Sequence, residues 1–335
     1  MKKWRILVLS GSYGVHAPEA LERLRRIGEV VRKIPSKKIT VREMIDLIKD
    51  ADALILGSIG NITHEVLEGV EKLKVIARHG VGVDNVDLEA ATNRGVIVTY
   101  TPHANAESVA EHTFALMLSL LRRIHEASEA VKCGMWKRRS EFIGVEVKGK
   151  TLGIIGLGTI GRRVAEIAKL GFKMKVIAYD PYVPKDIAEK LGVTMVDLST
   201  LLREADIVTI HAALTSETHH MIGESEFKLM KSTAIIINTA RGAIIDEEAL
   251  IKALKEKWIA GAALDVLEEE PPSSENPLLE MSNVIITPHI AAFTKEALRR
   301  MDNMMAEDII RVYNGLKPLR IANPDVLAKL NLKEA

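Results

Sequence analysis

The stretch Thr151-Leu-Gly-Ile-Ile-Gly-Leu-Gly-Thr-Ile-Gly161 decides the fold. Residues 152–155 read as a short buried strand, and Gly156, Gly158 and Gly161 follow in G-x-G-x-x-G spacing. Residues 162–170 then carry the 3.6-residue period of a helix that closes at Gly171. The three glycines serve different needs, namely a tight turn, room for a pyrophosphate to touch backbone, and close helix–strand contact. The helix N-terminus offers unsatisfied N–H groups to phosphate. Gly156, Gly158, Thr159, Ile160 and Gly161 are therefore candidate phosphate-binding residues. A second strand, 175–179, ends in Asp180, 24 residues beyond Gly156. An acid there accepts hydrogen bonds from ribose hydroxyls and repels a 2′-phosphate, which favours NAD over NADP. The competing reading, a glycine turn in some other α/β protein, leaves the complete strand–helix–strand–acid unit unexplained.

Outward from this unit, strand and helix patterns alternate. Toward the N-terminus, strands are expected near 4–9, 53–56, 75–77 and 96–100, with helices over 16–28, 40–49 and 88–94. A long helix is expected from Ala106 to Lys132, with Glu107 and Glu111 near its positive end. Toward the C-terminus, strands are expected at 207–211, 234–238, 260–264 and 284–287, then a helix over 294–314. The pattern predicts an α/β fold: two Rossmann-like or flavodoxin-like domains, each a doubly wound parallel sheet, separated by a cleft. Breaks at Pro102 and Pro288 divide a discontinuous outer substrate domain, 1–102 with 290–335, from a cofactor domain at 103–289. The polar last segment, 317–335, is expected to wrap the surface.

Composition limits the remaining options. A chain of 335 residues can build two cores, and 47% hydrophobic with 27% charged residues describes a soluble globular protein. The net charge of +1 favours neither nucleic acid nor an anionic membrane as partner. No apolar run approaches the roughly 18 residues that would span a bilayer. The single Cys133 excludes an internal disulfide and fits a reducing, cytoplasmic setting. Abundant Lys, Arg and Glu with no Gln resembles thermophile composition.

Three polar residues follow expected strands of the cofactor domain: Arg241, Glu270 and His289. Reduction of a keto acid needs a cation to hold the carboxylate and polarise the carbonyl, and Arg presents a planar two-pronged donor set. It needs a proton donor at the carbonyl oxygen, for which His is suited. A carboxylate beside that His orients it and favours its charged form. The bland alternatives are a surface ion pair for Arg241, an acidic loop for Glu268-Glu-Glu270, and a structural role for His289. The adjacent His219 and His220 are expected to point apart as solvated side chains, and no spacing of His, Cys and acids suggests a metal site. The runs Arg122-Arg123 and Lys137-Arg138-Arg139 read as solvated charges, or as a basic surface that draws in an anionic substrate.

The combination resembles the D-isomer-specific 2-hydroxyacid dehydrogenase family over nearly the whole chain. The matching motifs, besides the glycine turn, are Gly80-Val-Gly-Val-Asp-Asn-Val-Asp87, Asn105-Ala-Glu-Ser-Val-Ala-Glu111, Tyr179-Asp-Pro181, His211-Ala-Ala-Leu-Thr215, Asn238-Thr-Ala-Arg-Gly242, Leu264-Asp-Val266 through Glu270-Pro-Pro272, and Thr287-Pro-His-Ile290. The resemblance implies that Arg241, Glu270 and His289 are catalytic. It implies an NAD site formed by Thr159, Ile160, Asp180, Ala212, Thr218, Thr239, Ala240 and Asp265, with Pro181, His211, Ala213, Arg241, His289 and Ala291 beside them. Val81 and Gly82 would offer backbone N–H groups to the substrate carboxylate, with Arg78, Asn105, Arg241 and His289 as further substrate residues. A homodimer built on the helix that starts near Asn105 is also implied.

The substrate is less legible. Several motifs look most like phosphoglycerate dehydrogenases. Those usually place an Arg-Ser pair after the third strand to bind phosphate, where this chain has Gly57-Ser58-Ile59-Gly60. Loss of such a charged contact weakens phosphate binding by about 1.5–3 kcal/mol. No C-terminal regulatory segment of the serine-feedback type is expected from these residues. A glyoxylate, hydroxypyruvate or broad 2-oxoacid reductase therefore stands beside phosphoglycerate dehydrogenase. A reading of another class, an NAD(H)-sensing corepressor-like interaction protein, keeps the same motifs. Formate chemistry is disfavoured, because formate dehydrogenases carry Gln at the position of Glu270.

Overall fold

A computed structural model describes residues 2–35, 39–58 and 60–334; Ile59, in the loop that lacks the arginine, lies outside the described residues. The chain forms two compact units, Met1–Asn105 with Phe293–Ala335, and Ala106–Ala292.

The first unit alternates β1 (Trp4–Val8), α1 (Pro18–Ile27), β2 (Gly28–Arg32), α2 (Val41–Ile48), β3 (Ala53–Leu56), α3 (His64–Glu68), β4 (Val75–Arg78), α4 (Leu88–Asn93) and β5 (Ile97–Thr99). The five strands among its described residues are all parallel, in the order β2-β1-β3-β4-β5. A parallel sheet covered on both faces needs strands that are apolar throughout, and all four residues of both β3 and β4 are buried. Each fully buried Leu or Ile contributes about 1.5–3 kcal/mol of transfer free energy. The Thr40 hydroxyl accepts the Glu43 N–H while the Glu43 carboxylate accepts the Thr40 N–H, a reciprocal cap that starts α2.

Strand β2 was not expected from sequence. Trp4 pairs with Gly28, and a Cβ at Gly28 would lie 2.1 Å from the Trp4 carbonyl oxygen, so only glycine permits this pairing. The tail does more than wrap the surface. Ile321 bridges Thr99 in antiparallel fashion, and buried Asn323 accepts the Val98 N–H at 2.8 Å while donating to Val96 O at 3.0 Å. The free edge of β5 is thereby covered.

The second unit contains α5 (Ala106–Leu121), α6 (Ile124–Lys132), β6 (Thr151–Ile155), α7 (Thr159–Leu170), β7 (Lys175–Tyr179), α8 (Lys185–Lys190), β8 (Thr194–Met195), α9 (Leu198–Glu204), β9 (Ile207–Ile210), α10 (Glu224–Phe227), β10 (Ile235–Asn238), α11 (Glu247–Lys255), β11 (Gly261–Leu264) and β12 (Val284–Ile286). Helix α12 (Lys295–Tyr313) then returns the chain to the first unit, against α1 and β4. The seven parallel strands run β8-β7-β6-β9-β10-β11-β12, so the winding direction reverses between β6 and β9. In such sheets ligands gather at the carboxyl ends beside the reversal.

The single helix expected over 106–132 is two helices. Arg123 adopts a left-handed φ of 51°, and the Leu121 carbonyl at the end of α5 accepts the Val145 N–H at 2.9 Å. A Cβ at Gly144 would lie 2.6 Å from that carbonyl oxygen, so the returning segment packs onto the helix end. This break comes from tertiary contact, not from a local breaker residue. No helix among the described residues is long and apolar enough to cross a membrane.

Candidate active site

In the second unit the candidate residues sit after six strands. Gly156, Gly158, Thr159, Ile160 and Gly161 form the β6–α7 turn. Asp180 and Pro181 follow β7; His211, Ala212, Ala213 and Thr218 follow β9. Thr239, Ala240 and Arg241 follow β10, Asp265 and Glu270 follow β11, and His289 and Ala291 follow β12.

The β6–α7 turn fits a dinucleotide. Gly156 has φ of +91°, and a Cβ there would stand 2.6 Å from Ala212 N, so the loops after β6 and β9 touch at the winding reversal. A Cβ at Gly161 would meet Gly156 O at 2.1 Å, whereas nothing lies within 4 Å of the Cβ position of Gly158. Open space in front of Gly158, together with an α7 N-terminus that no side chain caps, is what a pyrophosphate requires. Asp180 accepts the Leu157 N–H at 2.8 Å through one oxygen and the Tyr182 N–H at 2.9 Å through the other. The acid is thus held against the glycine turn, where an adenosine ribose would lie.

His211 illustrates how burial sets charge at this edge. It shares a hydrogen bond with Thr209 Oγ1 at 3.0 Å, and burial pushes its imidazole from 6.5 down to about 3. Between those values the unfolded chain binds a proton that the folded chain refuses. Stability therefore falls as pH drops below the unfolded value, by up to about 1.4 kcal/mol per pH unit. His211→Asn is expected to remove this term. Its denaturation midpoint should fall less than that of the wild type between about pH 7 and about pH 5, and parallel losses would contradict the assignment.

Arg241 is placed by an asparagine turn. Asn238, 1% exposed, accepts the Ala240 N–H at 3.0 Å and donates to the Arg241 carbonyl at 2.8 Å. Gly242 follows because a Cβ there would overlap the Leu267 carbonyl carbon at 2.0 Å. The Arg241 guanidinium also donates to Ala240 O at 2.7 Å.

His289 Nδ1 lies 2.8 Å from Glu270 Oε2, and the other Glu270 oxygen accepts the Leu267 N–H at 3.2 Å. Of the three consecutive acids, Glu268 instead meets His220 at 2.8 Å and accepts the Glu247 N–H. Both His289 and Glu270 are about one-third open, at 38% of their side-chain surface. With Nδ1 engaged, His289 Nε2 has no partner among the described residues. His289 has a left-handed φ of 54°, which costs a side chain-bearing residue roughly 1–2 kcal/mol.

Asp265 holds that strained turn. Its backbone carbonyl accepts the His289 N–H at 2.8 Å, and its carboxylate accepts the Ile290 and Ala291 N–H groups at 2.9 and 2.8 Å. Thr287 Oγ1 donates to it at 2.6 Å, and His112 Nε2 on α5 lies 3.1 Å from Thr287 Oγ1. Burial pushes the Asp265 carboxyl up, but the bonds from His112, Thr287, Ile290 and Ala291 outweigh it and hold it below the ordinary carboxylate range.

In the first unit, Val81 and Gly82 follow β4, and their N–H groups enter no hydrogen bond among the described residues. Arg78, expected to meet the substrate directly, is 8% exposed. Its Nε donates to Asn85 at 3.0 Å and its Nη1 to His79 O at 2.7 Å, so it supports the turn from beneath. Asn85 in turn donates to Gly60 O at 3.1 Å, tying the loops after β3 and β4 together. Asn105 is buried at 8% exposure. His219 and His220 do not point apart: their rings stack at 4.0 Å, because His220 takes a left-handed φ of 51°. No group of three or more His, Cys, Asp or Glu suited to a metal occurs among the described residues.

A glycine turn at a winding reversal, with an arginine and a Glu–His pair on neighbouring strand ends, defines a dinucleotide-binding domain with acid–base chemistry at its rim. Residues 114–291 match the family described as D-isomer specific 2-hydroxyacid dehydrogenase, NAD binding domain, and the chain belongs to this family. It is 49% identical over 298 residues to D-3-phosphoglycerate dehydrogenase of Methanocaldococcus jannaschii, covering 89% of this chain and 56% of that protein. It is 46% identical over 290 residues to glyoxylate reductase of Thermococcus litoralis, covering 85% of this chain and 87% of that protein. A glyoxylate reductase crystal structure from Paecilomyes thermophila superposes with a TM-score of 0.85 at 29% identity, covering 97% of this chain and 99% of that one. The chain thus spans just over half the length of its phosphoglycerate dehydrogenase relative.

Proposed function

We propose that this protein interconverts a small 2-hydroxy acid, of R configuration where C2 is a stereocentre, and its 2-oxo acid with NAD, and that unphosphorylated glyoxylate or hydroxypyruvate is the preferred oxo acid. The observation that carries the reading is the His289–Glu270 contact at 2.8 Å, which turns His289 Nε2 outward. Arg241 receives the substrate carboxylate and draws electron density from the C2 carbonyl. His289 Nε2 delivers a proton to the carbonyl oxygen, or takes it from the hydroxyl in the reverse direction. Glu270 balances the imidazolium charge and fixes the ring. NAD(H), when bound at the glycine turn, supplies or accepts the hydride at C2.

The preference for an unphosphorylated acid is supported by Gly57. A Cβ there would stand 3.2 Å from both Leu9 O and Ser10 Cα, so an arginine at this point would press on the Leu9–Ser10 backbone that follows β1. The second reading, 3-phosphohydroxypyruvate, is favoured by the 49% identity to a phosphoglycerate dehydrogenase. We also infer a homodimer through the α5–α6 region, supported by the exposed apolar Ile124, Val131, Trp136 and Ile143. Light scattering should return twice the chain mass.

NADH oxidation should be followed with glyoxylate, hydroxypyruvate, pyruvate and 3-phosphohydroxypyruvate. The highest kcat/KM is expected with glyoxylate or hydroxypyruvate. A dominant rate with 3-phosphohydroxypyruvate would establish the second reading. Silence with all four would overturn the proposal and favour the NAD(H)-sensing alternative.

A further inference from the structure

Beneath the Gly80-Val81-Gly82 turn lies a sealed polar cluster that the chemistry above does not use. Ser10 and Tyr13 come from the segment after β1, His79 from the end of β4, and Asp302 from α12. Ser10, Tyr13 and Asp302 are 5%, 0% and 0% exposed, and the His79 side chain is 3% exposed. Ser10 Oγ lies 2.7 Å from His79 Nδ1. His79 Nε2 lies 3.1 Å from Asp302 Oδ1, close but poorly aligned for a hydrogen bond. Asp302 Oδ2 accepts the Gly14 N–H at 2.8 Å. With Nε2–H turned toward the carboxylate, Nδ1 accepts the Ser10 O–H. A buried carboxyl group is costly to keep unless its neighbours satisfy it. The order Ser–His–Asp is that of a nucleophilic triad. Ser10 is nevertheless closed to solvent, which removes that use.

The bonds around His79 point to another role. Its N–H donates to Leu56 O at 2.9 Å and its carbonyl accepts from Arg78 Nη1 at 2.7 Å. The Gly80 N–H donates to Arg78 O at 2.9 Å, and the Gly80 carbonyl accepts the Thr101 N–H at 3.0 Å. Gly80 has φ of +153°, and a Cβ there would lie 3.2 Å from Arg78 Nη1. Every backbone polar atom of His79 and Gly80 is therefore tied down, while the next two N–H groups are not. Donors fixed in place before binding lose less freedom when an anion arrives.

We propose that His79, anchored by the Ser10 hydrogen bond and packed against Asp302, is a positioning residue that sets the peptide planes of the Gly80–Gly82 turn so that the Val81 and Gly82 N–H groups meet a carboxylate. The inference rests on reading that turn as a receiver of the substrate carboxylate. It assigns to this chain's own side chains the support beneath the turn.

The test is steady-state kinetics of His79→Ala, His79→Asn and Ser10→Ala in the full chain, with oxalate as a carboxylate probe. His79→Ala should raise KM for the oxo acid and the oxalate dissociation constant by about 10–100-fold, with the smaller change in kcat and none in KM for NADH. Ser10→Ala should move both about 3–10-fold in the same direction. His79→Asn, which keeps an acceptor for Ser10, should recover part of the loss. Unchanged oxo-acid KM in folded His79→Ala, or equal shifts in KM for both substrates, would overturn the proposal. If His79→Ala fails to fold, an unchanged KM in Ser10→Ala overturns it. A wild type without turnover would count against the proposed function. Equal oxalate affinity of wild type and Ser10→Ala by calorimetry would then count against the positioning role separately.

Discussion

His289→Asn is expected to lower kcat by about 10²–10⁴-fold while NADH binding survives. Asparagine suits this test better than alanine, because it tolerates the left-handed backbone that residue 289 adopts. Its amide can still meet Glu270, but it cannot carry a proton between solvent and substrate. The loss should therefore fall on the chemical step. NADH fluorescence on binding checks that the domain is intact, and pre-steady-state reduction checks where the loss falls. The support beneath the residue should also survive, since the Ile290 and Ala291 N–H groups reach Asp265 through backbone. Near-normal turnover in this variant would remove His289 from its role.

Arg241→Lys is expected to cost about 10²–10⁴-fold in kcat/KM for the oxo acid. The reason is geometric, because lysine keeps the charge but loses the two-pronged donor plane. Two charged hydrogen bonds weakened together, at about 1.5–3 kcal/mol each, account for that range. Placement should be preserved, because the Asn238 side chain holds the Arg241 carbonyl whatever side chain follows. KM for NADH should change little. A variant with wild-type kcat/KM on its best oxo acid would show that the carboxylate is held elsewhere.

Much of the candidate site was legible because its residues sit next to strand ends. The glycine turn, Asp180, Arg241, Glu270 and His289 each follow an apolar run, and alternating periods alone locate those runs. What escaped was the support. Nothing in the spacing ties His112 to Thr287 and Asp265, since they meet only after α5 packs beside β12. Asn238 could have been found, because an asparagine just before a turn commonly bonds the backbone two residues on. Arg78 was expected beside the substrate from the resemblance; its burial and its bonds to Asn85 and His79 O become visible only once β4 and the following turn are folded together. In the fold, the break at Arg123 and the edge strand β2 depend on contacts with Gly144–Val145 and Trp4, which no local window contains. The stacking of His219 on His220 depends on one left-handed residue that side-chain type alone does not announce.

The most direct test of the central claim is the configuration of the product. Hydroxypyruvate should be reduced with NADH by the purified protein and the glycerate resolved by chiral chromatography. The account predicts D-glycerate, formed in step with NADH consumed and lost together with activity in His289→Asn. L-glycerate, or NADH consumption without glycerate, would contradict it.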